Sequence, residues 1–172
     1  MIGDSHMKQL WAPWRLQYIL EGNPEGCIFC TKPSEDKDKE NLILFRGRHV
    51  FTIMNLFPYN NGHLMIVPYQ HAEALEELPA GVLHELMDIT RMSQGILRQV
   101  FAAQGFNIGI NLGKAAGAGI DEHLHIHIVP RWMGDSNFMP VLADIKVLPQ
   151  HIGAAYDLLL PFFREASKGA ER

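Results

Sequence analysis

The chain has 172 residues, 47% of them hydrophobic and 20% charged, with a net charge of −4. That length suits one domain able to bury its own core, and the mildly acidic balance offers no global field to gather nucleic acid or an anionic membrane. Its apolar runs are broken well short of the roughly 18 residues a bilayer span needs, and no secretory signal opens it, so a cytoplasmic protein is expected.

Residues 1–6, "MIGDSH", read as a cloning remnant ahead of a natural start at Met7 and are set aside. One domain over 7–172 is expected, with an N-terminal segment 7–26, a core 27–132 and a C-terminal extension 133–172. The stretch "LWAPWRLQYIL" suits a short helix beginning at Pro13. The pair Cys27 and Cys30 follows in "CIFC", and then a charged, solvated run from Lys32 to Glu40. From Leu42 the apolar period becomes two, predicting strands over Leu42–Phe45, His49–Asn55 and Gly62–Pro68 joined by turn-rich "RGR" and "FPYNNG". Such short connections imply an antiparallel meander. Helical spacing of apolar residues from Pro79 to Ala103 predicts one long amphipathic helix closed by Gly105. Two more strands, Asn107–Leu112 and His123–Pro130, flank the glycine-rich "GKAAGAGIDE", and a last helix over Ala154–Ala166 is expected to bend or split at Pro161. The fold class is α+β: a mainly antiparallel sheet of about five strands, one long helix and a C-terminal helix.

The chemistry concentrates in "HLHIHIVPRW". Residues two apart in a strand share a face, so His123, His125 and His127 form a row while Leu124, Ile126 and Ile128 line the other side. Three neighbouring imidazoles gain little from packing and repel one another when protonated, so the row reads as functional. Two chemistries fit it. Neutral imidazoles at this spacing can share a zinc ion, and a neutral imidazole can also attack an electrophile while its neighbours orient it. Asn55, Asn111 and His63 stand at strand ends or turns, and the loop ending at Gly119 exposes backbone amides; together they suggest a phosphate pocket. In a cytosolic setting the Cys27–Cys30 pair points to zinc or redox chemistry ahead of a structural disulfide.

These residues resemble the histidine triad (HIT) superfamily of nucleotide-binding hydrolases and transferases. "HLHIHIV" fits the defining pattern, while "NNGHLMIVPYQH" and "NLGKAAGAGIDEHLHIH" resemble the flanking turn, strand and glycine loop. With "LWAPWR", the likeness leans to the bacterial branch related to diadenosine tetraphosphate phosphorylases. The resemblance implies a homodimer that cleaves dinucleoside polyphosphates at the α-phosphate, by phosphorolysis or hydrolysis. It assigns the nucleophile to His125, phosphate contact and proton traffic to His127, and a supporting role to His63. It assigns ribose contact to Asn55, and phosphate contact to Asn111 and to Gly117, Ala118 and Gly119. It further implies a structural zinc on Cys27, Cys30, His71 and His123; a magnesium or manganese ion carried by the substrate is compatible with this chemistry. Many family members place Ser, Thr or Gln five residues before the nucleophile; Ile120 stands there, so a phosphoramidase activity is not implied. Rival readings are a nucleotide-sensing module with little catalysis, and a zinc metallohydrolase built on the histidine row.

Overall fold

Alternating apolar residues over 43–68 produce the predicted meander, with β1 at Ile43–Arg46, β2 at Val50–Met54 and β3 at Leu64–Pro68. The computed structural model describes residues 26–116, 120, 122–135 and 150–170, so the helix expected at Pro13 and the Gly117–Gly119 loop lie outside it. Ahead of β1 come α1, Ile28–Thr31, and α2, Asp38–Asn41, each a single turn. After β3 run α3, Ala80–Phe101; β4, Gly105–Ile110; β5, Ile126–Arg131; and α4, Ile152–Ala170. The five strands form one antiparallel sheet in the order β1-β2-β3-β5-β4.

Strand alternation gives the sheet two unlike faces. Val50, Met54, Leu64, Ile66, Leu124, Ile126 and Ile128 point to one side, where they pack with Leu86 and Leu97 of α3 and Leu159 and Phe163 of α4. Each fully buried Leu or Phe contributes about 1.5–3 kcal/mol, so this layer dominates the stability of the fold. On the other face Ile43, Phe51, Ile53, Met65 and Val67 form a smaller cluster around Phe29 of α1. The histidines belong to this second face, because His127 is the register partner of Met65 and of Gly109.

Two expectations are refined. Pro161 does not divide α4, because the buried residues Ala155, Tyr156, Leu159 and Phe163 straddle it and their packing offsets the roughly 3 kcal/mol that an interior proline costs. The paired part of the last strand starts at Ile126, so of the three histidines only His127 sits in the ladder. Upstream the backbone turns to a different partner, the Leu124 N–H donating to the Ala72 carbonyl at 2.7 Å. Among the described residues, no helix is long and apolar enough to cross a membrane.

A polar knot closes the end of the sheet. Asp135 accepts from Arg131 Nε at 2.6 Å and Nη2 at 2.9 Å, and from Asn60 Nδ2 at 2.9 Å, while Asn60 also donates to the Pro130 carbonyl at 3.0 Å. The Arg131 guanidinium holds the Asp135 carboxyl well below the usual carboxylate range. Trp132 is turned to structure: its indole N–H donates to the Phe101 carbonyl at 3.1 Å, satisfying one of the orphan acceptors where α3 ends.

Candidate active site and metal centre

The β2–β3 loop delivers His63. Gly62 has φ +70°, and a Cβ there would lie 2.8 Å from the Phe101 ring, so only glycine lets this turn close against α3. His63 then enters two residues before Met65, on the histidine face and diagonal to His127 across the β3–β5 pair. It is fully buried.

Hydrogen bonds fix which nitrogen of each imidazole carries the proton. His63 Nδ1 receives the Tyr59 backbone N–H at 3.1 Å and stands 3.3 Å from Asn55 Nδ2, so Nδ1 is an acceptor and Nε2 holds the hydrogen. That Nε2–H donates to His127 Nδ1 at 3.0 Å, leaving the hydrogen of His127 on its outer nitrogen, Nε2. His125 is set the other way: its Nδ1–H donates to the His123 carbonyl at 2.8 Å, which leaves a lone pair on Nε2. The two rings meet edge to face, centroids 4.6 Å apart. One neighbour therefore presents a lone pair and the other a donor.

Burial keeps both rings neutral. It is the main cause lowering His125, opposed by the bond to the His123 carbonyl, and it pushes His127 down to about 4, with His125 adding to the effect. A neutral imidazole is the form that can attack phosphorus.

His123 leaves the row for another task. Its Nε2–H donates to the Pro68 carbonyl at 2.9 Å, so Nδ1 is bare, 3.2 Å from Cys27 Sγ and 3.6 Å from Cys30 Sγ. His71 Nδ1 lies 3.4 Å from Cys30 Sγ, and the four ligand atoms all fall within 4.8 Å of one another. Two thiols and two imidazoles with a lone pair available form a donor set of the structural zinc type, so the residues fit the metal. The carbonyl that fixes the His123 tautomer is the outer-layer support such ligands use.

The remaining expected residues divide. Asn55 occupies itself locally, its Oδ1 accepting the Phe57 N–H at 3.0 Å while its amide faces His63. Asn111 follows Ile110, the register partner of Ile126, which carries it alongside His125. Ile120 packs against the Phe29 cluster. Gly117, Ala118 and Gly119 are outside the described residues. Sequence reasoning missed Tyr59, because the group that matters is a backbone N–H, which any residue supplies. It also passed over Phe29, whose signal was its place between the two cysteines.

The three alternating histidines thus divide, His123 turned to the two cysteines and His125 and His127 side by side with their tautomers fixed by separate hydrogen bonds. The family model for the HIT domain matches residues 36–133, and the chain belongs to the HIT family. It is an enzyme of that family. The chain is 40% identical over 152 residues to AP-4-A phosphorylase of Mycobacterium tuberculosis, covering 84% of this chain and 78% of that one. It is 32% identical over 93 residues to the asymmetrical bis(5'-nucleosyl)-tetraphosphatase of Schizosaccharomyces pombe, covering 54% of this chain and 50% of that one. Its fold matches the crystal structure of a Zn-bound histidine triad family protein from Mycobacterium smegmatis with a TM-score of 0.67 at 23% identity, over 84% of this chain and 97% of that one. Cys27 and Cys30 precede the matched range, while His71 and His123 lie within it.

Proposed function

We propose that the chain cleaves dinucleoside polyphosphates such as diadenosine tetraphosphate at an α-phosphate, through a nucleotidyl group carried on His125. The observation that carries this reading is the fixed tautomer of His125, whose Nδ1–H is held by a backbone carbonyl so that Nε2 offers a lone pair. In the first half-reaction an Nε2–P bond forms and the P–O bond to the leaving nucleoside polyphosphate breaks, its electron pair departing on that oxygen. The Nε2–H of His127 faces the phosphate and the departing oxygen, held in that role by His63. In the second half an oxygen of orthophosphate or water attacks the same phosphorus, and the N–P bond breaks to restore the imidazole.

With orthophosphate, diadenosine tetraphosphate yields ATP and ADP; with water it yields ATP and AMP. The likeness to AP-4-A phosphorylase, over 84% of the chain, favours orthophosphate. Asn111 and the amides of Gly117, Ala118 and Gly119 meet the nonbridging oxygens, and Asn55 the ribose hydroxyls, as neutral donors suited to spread charge. The polyphosphate is the carrier for a magnesium or manganese ion.

Zinc on Cys27, Cys30, His71 and His123 supplies a cross-link that fixes the start of the triad, and no step passes through it. Four protein ligands close that site, which disfavours a metallohydrolase with an open coordination position. The exposed edge strand β4, where Ile108 is 44% accessible, supports a homodimer joined along that edge. Incubation with diadenosine tetraphosphate, with and without orthophosphate, tests the reading. ADP and ATP with phosphate, plus an acid-labile nucleotidyl adduct, are expected. Intact substrate and no adduct under both conditions would overturn it.

A further inference from the structure

A histidine ring is hard to hold with one hydrogen bond. The torsion between Cβ and the imidazole has broad, roughly two-fold wells, so a single contact at Nδ1 leaves the far nitrogen free to swing. Among the described residues His125 has that one bond, to the His123 carbonyl, and the nitrogen that must aim is at the opposite end. Something else has to fix the plane.

Phe29 occupies the place where such a support is needed. Its side chain is 0% exposed, its ring centroid lies 5.0 Å from that of His125 at a 55° tilt, and it lies 5.5 Å from His123, edge to face. It also stands between Cys27 and Cys30, on the one-turn helix whose Cys30 and Thr31 N–H groups both bond the Cys27 carbonyl at 3.0 Å. The Cys27–Cys30 turn therefore sets where the ring goes. The metal loop reaches the nucleophile twice, through the carbonyl of a ligand and through a phenyl ring wedged against the imidazole.

We propose that Phe29 is a positioning residue for His125: the Cys27–Cys30 loop drives its ring against the nucleophilic imidazole and holds the plane in which Nε2 attacks. The proposal rests on the assignment of His125 as nucleophile. Preorganised rings matter because a displacement of about 1 Å at a reacting centre costs on the order of 100-fold in rate.

The test compares zinc-loaded parent protein with Phe29→Leu, Phe29→Ala and Phe51→Leu. Phe51 sits in the same buried cluster, but its ring stacks on Tyr69. For Phe29→Leu we expect kcat to drop about 10-fold, and for Phe29→Ala about 100-fold, with KM changed less than about 3-fold and zinc content intact. Phe51→Leu should lower the melting temperature while keeping kcat. Imidazole nitrogen NMR supplies a readout independent of turnover: the parent shows His125 as one tautomer protonated at Nδ1, and the Phe29 variants show averaging. Unchanged kcat and spectrum in either Phe29 variant would overturn the proposal, as would a kcat loss that merely tracks zinc loss. If Phe29→Ala does not fold, Phe29→Leu decides alone. Parent protein without turnover would sink the functional reading instead, and the NMR comparison would still judge Phe29.

Discussion

His63 Nε2 lies 3.0 Å from His127 Nδ1, one hydrogen bond joining side chains 64 residues apart. Because Tyr59 and Asn55 occupy the other nitrogen of His63, the proton on Nε2 has one direction to point, and His127 receives it. Replacing His63 by Ala removes the donor and frees His127 to exchange tautomers. A kcat loss of about 10- to 100-fold is expected, with nucleotide affinity nearly kept. Steady-state kinetics beside a binding titration checks it; a pure KM effect would assign His63 to substrate binding.

His125→Asn keeps a polar side chain of similar reach but cannot form the nucleotidyl bond. Turnover should vanish and the acid-labile adduct with it, while a nucleotide such as AMP still binds within about 10-fold of parent affinity. Residual turnover near the parent rate would place the nucleophile elsewhere.

The metal centre should titrate. Burial and the neighbouring Cys27 push the Cys30 thiol up, and zinc requires it as thiolate, so zinc uptake releases protons and occupancy falls as pH falls. About one zinc per chain is expected in metal-replete protein. Cys30→Ser should lose most of it and lower the melting temperature. Equal zinc in parent and variant would break the ligand assignment.

Folding stability should decline in mild acid. His127 is pushed down to about 4 in the folded chain, chiefly by burial, whereas an unfolded histidine titrates near 6.5. Between these values the unfolded chain binds more protons than the folded one, so stability is full above about 6.5 and drains away as pH falls toward 4. Melting temperatures at pH 7 and pH 5 measure the slope, and His127→Gln should flatten part of it. A parent profile without slope would mean that His127 is not held neutral.

Gly62→Ala strains the turn and the packing together. A residue with a Cβ resists φ +70°, and that Cβ would sit 2.8 Å from Phe101. The two effects should cost about 2–4 kcal/mol. Denaturant unfolding measures it, and kcat should fall as well because His63 follows directly.

Much of this was legible in residue order. Strand and helix periods marked all five strands and both long helices, since each buries one face against a layer whose apolar residues repeat at the matching interval. The histidine alternation located the site, but a two-residue period implies three equivalent positions. What separates them is tertiary: the Pro68 carbonyl turns His123 toward the cysteines, the His123 carbonyl turns His125 outward, and His63 claims His127. Backbone carbonyls have no letter in the sequence, so neither these tautomers nor the part of Tyr59 could be read from it. The helix does not split at Pro161 for a related reason, because the penalty of the proline is local while the packing that overrides it is not.

The knot at Asp135 has a mechanical side. Asn60, next to Tyr59, is tied to Pro130 near the end of β5 and to Asp135 just beyond it, while Tyr59 is tied through His63 to His127 within the same strand. Loop and strand are thus riveted at two points, forming a closed ring of bonds with the relay as one side. Such a ring resists shear, so the amide of Tyr59, though its side chain is half exposed, should exchange with deuterium at the slow pace of the sheet.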